Sequence, residues 1–449
     1  MIDNRQYRIS RSGLAGLDAL PEAVAAAAGR PVLRWYVCEV TRDEIVCEAT
    51  TCAEAVGGAA PPAGGQLRPG RSAVVSIIPT GVGCHLGGYA GDAAPVTNLL
   101  AATADYLITN PNSVNASNFV GLNSPNIVYT DGCSLDLFAR GAADLHLPHR
   151  NRVGLVIEQA DAPTLDIVYN VVNAVRAVHG VNLTDIVVTE GPIGGRCVEN
   201  QSGAFVGTVD NPRVLFEACE KLIRNGVNAV AITSRIRELP LDSYVKHFDG
   251  EYPNPVGGVE AVISYLTTTR FRLPSAHAPI LNLEDLDLRH NVVDARGAGE
   301  HASASGLACV LVGLRRAPQL DPGAAAGVAD VLGWRNVMAV VAPAGCLGGV
   351  PVIYALRHRI PVIAVEQNRT IYDVTKSRLG AEEVVEVRNY AEAAGVILAL
   401  KQGLSLESIS RPLATHRPQP ASEVMPRLSA APARAADLTL EPEGSLSAL

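Results

Sequence analysis

Short apolar runs alternate with amphipathic segments along most of the chain. Strand-like runs occupy residues 73–78, 106–109, 126–130, 153–158, 185–190, 229–234, 308–314, 337–343 and 361–367. Segments with apolar residues at helical spacing lie between many of them, as at 94–104, 165–178, 211–226 and 391–403. This alternation is typical of a mostly parallel sheet with helices on both faces, and it predicts an α/β fold.

The length of 449 residues and the extent of this pattern predict two Rossmann-like lobes with a central cleft. We expect the first lobe at 72–235 and the second at 236–411. Residues 1–71 contain a helical segment at 14–28, two strand-like runs at 32–40 and 44–50, and a Gly/Pro-rich linker. They predict a small N-terminal α+β element with a hairpin. Residues 412–449, rich in Pro, Ala and Arg, are expected to form a tail without its own core.

Composition argues against several classes of protein. The net charge is −8 without a basic cluster, so no nucleic-acid partner is expected. We find no apolar run of 18 residues and no signal peptide, which predicts no membrane partner and a cytoplasmic location. Nine cysteines without a CxxC pair, and the absence of HxxxH and HExxH, give no metal site. No cofactor is favoured, and the Ala-rich helices would suit a homodimer.

A glycine-rich loop follows the strand-like run at 73–78. The loop places Gly81, Gly83, Gly87 and Gly88 around Cys84 and His85. Glycines allow close backbone approach, so N–H groups of such a loop can bind an anion. The spacing is neither GxGxxG nor a Walker motif. A tight turn needed only for packing is the alternative.

A second stretch, residues 337–349, repeats this order with Cys346, Gly348 and Gly349. We interpret the two stretches as a pseudo-repeat, with one glycine loop on each lobe. If the lobes face each other, Cys84 and Cys346 line one cleft, and nearby amides lower their thiol pKa values. Two thiols flanking a substrate are typical of cofactor-independent racemases, epimerases and lyases. The alternative is that both cysteines fill tight turns.

Polar residues that follow strands are further candidates. Asn110, Asn112 and Asn115 follow the run at 106–109 and can recognise a carboxylate, an amide or hydroxyls, although Asn112 can also cap a helix. Glu366 and Asn368 hold the matching position after the run at 361–367.

Three acid–base candidates come from their sequence context. Glu190 closes a strand-like run and is a candidate general base, and Asp92 is either an acid–base group or a helix N-cap. His277 lies between Pro274 and Pro279, which predicts a rigid loop around a side chain that titrates near neutrality.

Eight ordered motifs, among them IPTGxGxxxGGYAGDAxP, LITxPNxxN, VTExP, AHAP and CVLVGLxRAPQ, resemble a bacterial, cyanobacterial and plastid family. That family is known as domain of unknown function 3326. The resemblance runs from about Ser72 to Leu320 and, less closely, to Ile409. It implies that the following residues occupy family motif positions: Gly81, Gly83, Gly87, Gly88, Gly91, Asp92, Asn112, Asn115, His277 and Arg316. It implies no activity.

Together these features predict an enzyme that acts on a small polar or anionic metabolite in the cleft between the lobes. A cofactor-independent isomerase or lyase is our leading hypothesis, with glycine loops binding the anion and His277, Glu190 or a cysteine moving the proton. One alternative is a nucleotide- or NAD(P)-dependent transferase or oxidoreductase. Another is a metabolite-binding protein without catalytic activity.

Overall fold

The computed structural model describes residues 2–57, 71–116, 119–120, 124–237, 240–280, 292–303, 305–321 and 328–416. The chain divides into two units, Met1–Leu404 and Ser405–Leu449. Most of the predicted linker and the predicted tail beyond residue 416 lie outside the described residues.

Residues 2–57 form an antiparallel sheet with one helix. The elements are β1 (Ile2–Ser10), α1 (Leu20–Ala28), β2 (Val32–Val40) and β3 (Glu44–Cys52). β3 is the central strand and pairs with both others. The predicted hairpin is confirmed. β1 was missed because polar residues dominate its sequence and only Ile2 and Ile9 are buried.

The remaining elements follow in chain order. The first group is β4 (Ala73–Ser76), α2 (Ala94–Ala101), β5 (Tyr106–Thr109), β6 (Asn115–Ala116), β7 (Phe119–Val120), β8 (Ile127–Tyr129), α3 (Gly132–Ala139) and β9 (Leu145–Pro148). The second group is β10 (Val153–Ile157), α4 (Ala162–His179), β11 (Leu183–Val188), β12 (Gly195–Glu199), β13 (Phe205–Val209), α5 (Pro212–Arg224), β14 (Ala229–Ser234), β15 (Ile236–Arg237), α6 (Leu241–Phe248), α7 (Gly257–Phe271), β16 (Ser275–Pro279), α8 (Ala298–His301) and α9 (Leu307–Leu314). The third group is β17 (Val328–Leu332), β18 (Val337–Pro343), α10 (Val350–His358), β19 (Val362–Val365), α11 (Lys376–Leu379), β20 (Val385–Val387) and α12 (Tyr390–Lys401). The second unit contributes α13 (Leu406–Ile409).

Six parallel strands form the largest sheet, in the order β20-β19-β18-β4-β5-β8. The three strands of this sheet that come first in the chain, β4, β5 and β8, therefore form one half of the sheet. The three that come last, β18, β19 and β20, form the other half. This is the strand order of doubly wound dinucleotide-binding folds, in which the direction of winding reverses between the first and fourth strands. Here the reversal falls between β4 and β18.

Four parallel strands form a second sheet, in the order β11-β10-β14-β16. All four come from the segment between β8 and β18. The predicted lobes at 72–235 and 236–411 therefore group the strands differently from the structure. The first sheet takes strands from both predicted lobes because β18 pairs with β4. Three smaller sheets contain β13-β12-β15, β17-β9 and β6-β7.

The α/β class with mostly parallel sheets is confirmed. All six residues of β14 are buried, as expected of a strand covered by helices on both faces. The run at 308–314 is helix α9 rather than a strand, and all eight residues of α9 are buried, so its sequence carries no amphipathic period. The segment around His277 is strand β16 rather than a loop. Among the described residues, no helix is both long enough and apolar enough to cross a bilayer.

Candidate functional site

A cavity of about 250 Å³ lies at the carboxyl end of the six-stranded sheet. Loops that follow four of its strands line the cavity: 77–80 after β4, 110–112 after β5, 131–132 after β8 and 346–351 after β18. Residues of β16 and α7 line the cavity as well. Ligands of doubly wound sheets bind at the point where the winding reverses, and this cavity lies there.

The N-termini of four helices also line the cavity. Gly132 of α3, Gly257 of α7 and Val350 of α10 line the cavity, as does Gly306, which precedes α9. The N-terminus of a helix carries a partial positive charge and unpaired N–H groups, which favour a negatively charged ligand.

His277 lines the cavity, and its two ring nitrogens face Ser234 and Glu260. The Nε2 atom of His277 lies 2.8 Å from the Oγ atom of Ser234, at the end of β14. Its Nδ1 atom lies 3.4 Å from the Oε1 atom of Glu260, in the first turn of α7. Burial lowers the pKa of His277 to about 3, although nearby Glu158 acts in the opposite direction. The imidazole is therefore neutral at physiological pH.

Glu260 is a carboxyl group with an unusually high proton affinity. Its side chain retains 22% exposure and lines the cavity, and desolvation raises its pKa to about 8. Glu300 lines the same cavity, and burial, followed by the charge of Glu260, raises its pKa to about 7. A carboxyl group that titrates near neutrality is suited to general acid–base catalysis.

The connectivity Ser234–His277–Glu260 is that of a hydrolytic triad, but Ser234 is fully buried and is not part of the cavity wall. Its hydroxyl is therefore placed to orient the imidazole rather than to attack a substrate. His277 and Glu260 both line the cavity, but the His277 side chain is fully buried and Glu260 retains 22% exposure, so Glu260 is the group of this pair that a ligand can reach.

The two loop cysteines are buried, and burial raises the pKa values of their thiols. Cys84 and Cys346 follow neighbouring strands of one sheet, not two facing lobes, and both are buried. Burial raises the pKa of Cys346 to about 12, and burial, followed by the proximity of Cys346, raises the pKa of Cys84 well above its ordinary value. This direction is opposite to the predicted lowering, because desolvation outweighs any effect of the loop amides. Cys346 lines the cavity, and Cys84 does not.

Most predicted polar residues lie elsewhere or have structural partners. The Glu190 side chain is 88% exposed and forms an ion pair with Lys221 at 3.0 Å, so it lacks the buried setting expected of a general base. His85, Arg316 and Glu366 are also exposed, and none of them lines the cavity.

Asp92 is half-buried and follows the first glycine loop. Burial raises its pKa to about 6, while the N–H groups of Gly87 and Tyr89 lower it. The N-cap of α2 is Ala93, so Asp92 is not the predicted helix cap. It is not part of the cavity wall.

The asparagines fall into two groups. Asn110 and Asn112 line the cavity, but the Asn110 side chain is bonded to the backbone of Ile78. Asn115 and Asn368 are buried away from the cavity, and their amides donate to the carbonyl groups of Cys309 and Leu86.

The glycines serve close packing. Gly81, Gly83 and Gly87 have positive φ angles, and a Cβ atom on Gly81 would lie 2.7 Å from the carbonyl oxygen of Phe205. A Cβ atom on Gly88 would likewise lie too close to the carbonyl oxygen of Cys84. Gly348 and Gly349 line the cavity, and Gly348 packs against Val37 of β2.

Residues 73–410 match the family described as "Protein of unknown function (DUF3326)". The chain belongs to this family. A relative from Synechococcus sp., named an uncharacterized lipoprotein, is 36% identical over 344 residues, or 76% of this chain and 94% of the relative. No solved structure matches the chain. The resemblance inferred from the eight motifs is thereby confirmed.

Three residues that line the cavity of this DUF3326 member were not predicted from the sequence: Glu260, Glu300 and Arg34. Glu260 interrupts an otherwise apolar segment, 256–266, and an isolated acidic residue in such a segment is a signal that was available. Arg34 interrupts a strand outside the matched residues 73–410. Among the described residues, no group of three or more His, Cys, Asp or Glu side chains forms a metal-binding cluster.

Proposed function

We propose that this protein is an enzyme that moves a proton on a small anionic metabolite, as an isomerase or a lyase. The observation that carries the proposal is the pair Glu260 and His277, which share one cavity at the carboxyl end of the six-stranded sheet. The cavity volume of about 250 Å³ is below the 300–1,000 Å³ of drug-sized sites, which favours a small substrate.

In this mechanism, ionised Glu260 takes a proton from a carbon next to a carbonyl group of the substrate. The electron pair of the broken C–H bond moves onto the carbonyl oxygen, where the N-termini of helices favour negative charge. Return of the proton to another face or atom gives an isomer, and loss of a leaving group from the adjacent carbon gives an elimination product. Neutral His277, oriented by Ser234, lies beside the Glu260 carboxyl group, with its Nδ1 atom 3.4 Å from Oε1.

Proton exchange with solvent tests this proposal even when the product is unidentified. The protein is incubated in D₂O with a panel of small hydroxy, oxo and amino acids, and deuterium incorporation at carbon is read by mass spectrometry. We expect exchange in at least one compound, and an exchange rate at least about 100-fold lower for Glu260→Gln. Glu190→Gln is the matched control, since Glu190 is exposed on the surface.

An exchange rate for Glu260→Gln within about twofold of that of the wild type would contradict the role of Glu260. Binding of a panel compound without exchange in the wild type would favour the non-catalytic metabolite-binding alternative.

A second candidate is a nucleotide- or NAD(P)-dependent enzyme, favoured by the strand order of the six-stranded sheet. Against it, the loop after β4 lacks GxGxxG, and β5 is followed by Asn110 rather than by an acidic residue that would bind a ribose hydroxyl. Ultraviolet absorbance of bound nucleotide in the purified protein, or stabilisation by NAD(P), would favour this candidate.

We propose a cytoplasmic location, supported by the nine cysteines, all of which are free thiols. Disulfide bonds persist in oxidising compartments and are rare in the cytosol. The name of the Synechococcus relative, which contains the word lipoprotein, argues the other way. Cell fractionation of the native host with an antibody against this chain decides between the two.

A further inference from the structure

The N-terminal sheet supplies a cation to the cavity. Arg34 and Tyr36 lie on β2 two residues apart, so their side chains share a face of the strand, and both line the cavity. The N–H of Val37 donates to the carbonyl oxygen of Gly348 at 3.0 Å, and Tyr36 bridges to Gly349. These bonds fix β2 against the second glycine loop.

Two tyrosine rings flank the Arg34 guanidinium. Its central carbon lies 5.6 Å from the ring centroid of Tyr265 and 5.8 Å from that of Tyr36, within the range of cation–π attraction. The Tyr265 hydroxyl donates to Asp136 at 2.9 Å, and the Tyr36 hydroxyl donates to Glu48. Both rings are therefore held in place by their hydroxyl groups.

The guanidinium has unused hydrogen-bonding capacity. Its Nη1 atom is buried and has no hydrogen-bond partner within the described part of the chain. A buried charged donor without a partner is costly, because it loses water and gains nothing in return. Burial raises the pKa of Asp136 to about 6, and the charges of Arg140 and Arg34 act in the opposite direction. The ion-pair partner of Asp136 is Arg140, at 3.8 Å, rather than Arg34.

Charge around the cavity limits the ligand. Of the described residues that line it, Arg34 is the only lysine or arginine. Four acidic residues line the same cavity, Asp131, Asp136, Glu260 and Glu300. A dianionic phosphate would meet more negative than positive side-chain charge, whereas a single carboxylate matches one guanidinium in charge and in planar geometry.

We propose that Arg34 binds a carboxylate of the metabolite, so that the substrate is a small monocarboxylic acid. This inference rests on the proposed function for the location of the reacting carbon. The carboxylate accepts hydrogen bonds from the guanidinium between Tyr36 and Tyr265, and Glu260 reaches the carbon that loses its proton. Because Arg34 lies outside residues 73–410, ligand recognition comes from a part of the chain that the family match does not include.

Thermal-shift and calorimetric titration test this with glycolate, lactate, pyruvate and 2-oxobutyrate, their uncharged amides, and inorganic phosphate. We expect wild-type protein to bind at least one acid and not its amide. Arg34→Met should weaken binding by about 10- to 100-fold. Arg34→Lys should bind with intermediate affinity, because a lysine keeps the charge but not the planar fork. Arg8→Met is the matched control, since Arg8 is 59% exposed on the same N-terminal sheet.

Glu260→Gln separates this inference from the proposed function, because it should bind the acid and fail to exchange its proton. Equal affinity of wild type and a folded Arg34→Met variant would overturn the role of Arg34 and leave that of Glu260 intact. Failure of every acid in the panel to bind, or binding of phosphate in its place, would overturn the carboxylate. If Arg34→Met does not fold, full affinity in Arg34→Lys would count against recognition by the planar fork.

Discussion

The side chain of Asn110 forms both hydrogen bonds that a neighbouring strand would form with Ile78. It accepts from the Ile78 N–H at 2.9 Å and donates to the Ile78 carbonyl at 2.7 Å. Asn368, after β19, binds the backbone of Leu86 in the same way, at 3.0 and 2.8 Å. These two amides hold the two ends of the first glycine loop, so the loop at the cavity is preorganised by its neighbours.

Asn368→Ala should destabilise the protein, because it leaves both polar groups of Leu86 without their partner. The loss should be about 1–3 kcal/mol in the free energy of unfolding, measured by urea denaturation. The neighbouring Gln367→Ala is the control, and it should change stability by less than about 0.5 kcal/mol, because Gln367 is exposed. Equal effects of the two substitutions would show that the Asn368 amide does not hold the loop.

Glu260 should make stability fall as the pH rises. Burial raises its pKa from 4.5 to about 8, so between these values the native state holds a proton that the unfolded chain has released. The free energy of unfolding should decrease across this window by up to about 1.4 kcal/mol per pH unit and level off above it. Glu260→Gln removes this contribution, so its stability relative to the wild type should rise from about pH 5 to about pH 8. A constant difference in urea denaturation across that range would contradict a raised pKa.

The nine cysteines should resist thiol reagents in the native state. All of them are buried, and no thiolate forms near neutral pH where burial raises the pKa, as at Cys84 and Cys346. A colorimetric disulfide reagent at about pH 8 should label none of them within minutes, and all nine after denaturation. Cys346→Ala should leave deuterium exchange within about twofold of the wild type. Rapid labelling that disappears in Cys84→Ser would restore the thiol hypothesis.

Gly258→Ala should be strongly destabilising. A Cβ atom at this position would lie 1.9 Å from the carbonyl oxygen of Phe205, which forces α7 away from β13. We expect a loss of about 3 kcal/mol or more in the free energy of unfolding. Gly395→Ala is the opposite case, because that helical glycine has no atom within 4 Å of the added methyl group. Its stability should rise by about 0.5–1 kcal/mol, and thermal unfolding of both variants tests the contrast.

Local patterns predicted the α/β class because most strands are short runs of buried residues, such as β14 and β18. They failed where the environment decides the structure. The apolar run that forms α9 is buried on every side, which removes the period that distinguishes a helix from a strand. Grouping the strands into sheets failed as well, since nothing local in β4 specifies β18 as its partner.

The site was predicted in part. His277 was identified from its context, although it lies in a strand, and the glycine loops do line or support the cavity. The surroundings of Glu260 and Arg34 are formed by residues distant in sequence. They can be described only once α7 and β2 are placed beside the sheet. Glu190 lies outside the cavity wall, because it follows β11, an edge strand of the four-stranded sheet, and its side chain is 88% exposed.

The pairing of β4 with β18 sets an order of assembly during synthesis. Ala73 pairs with Val337, so about 260 residues leave the ribosome between the two strands. At about 5–20 residues per second, this takes roughly 13 to 53 s. The four strands of the second sheet are translated within that interval and can pair first, while β4 waits with one edge open. A nascent chain that ends before Gly348 therefore contains Glu260 and His277 but lacks part of the wall of the cavity that they line.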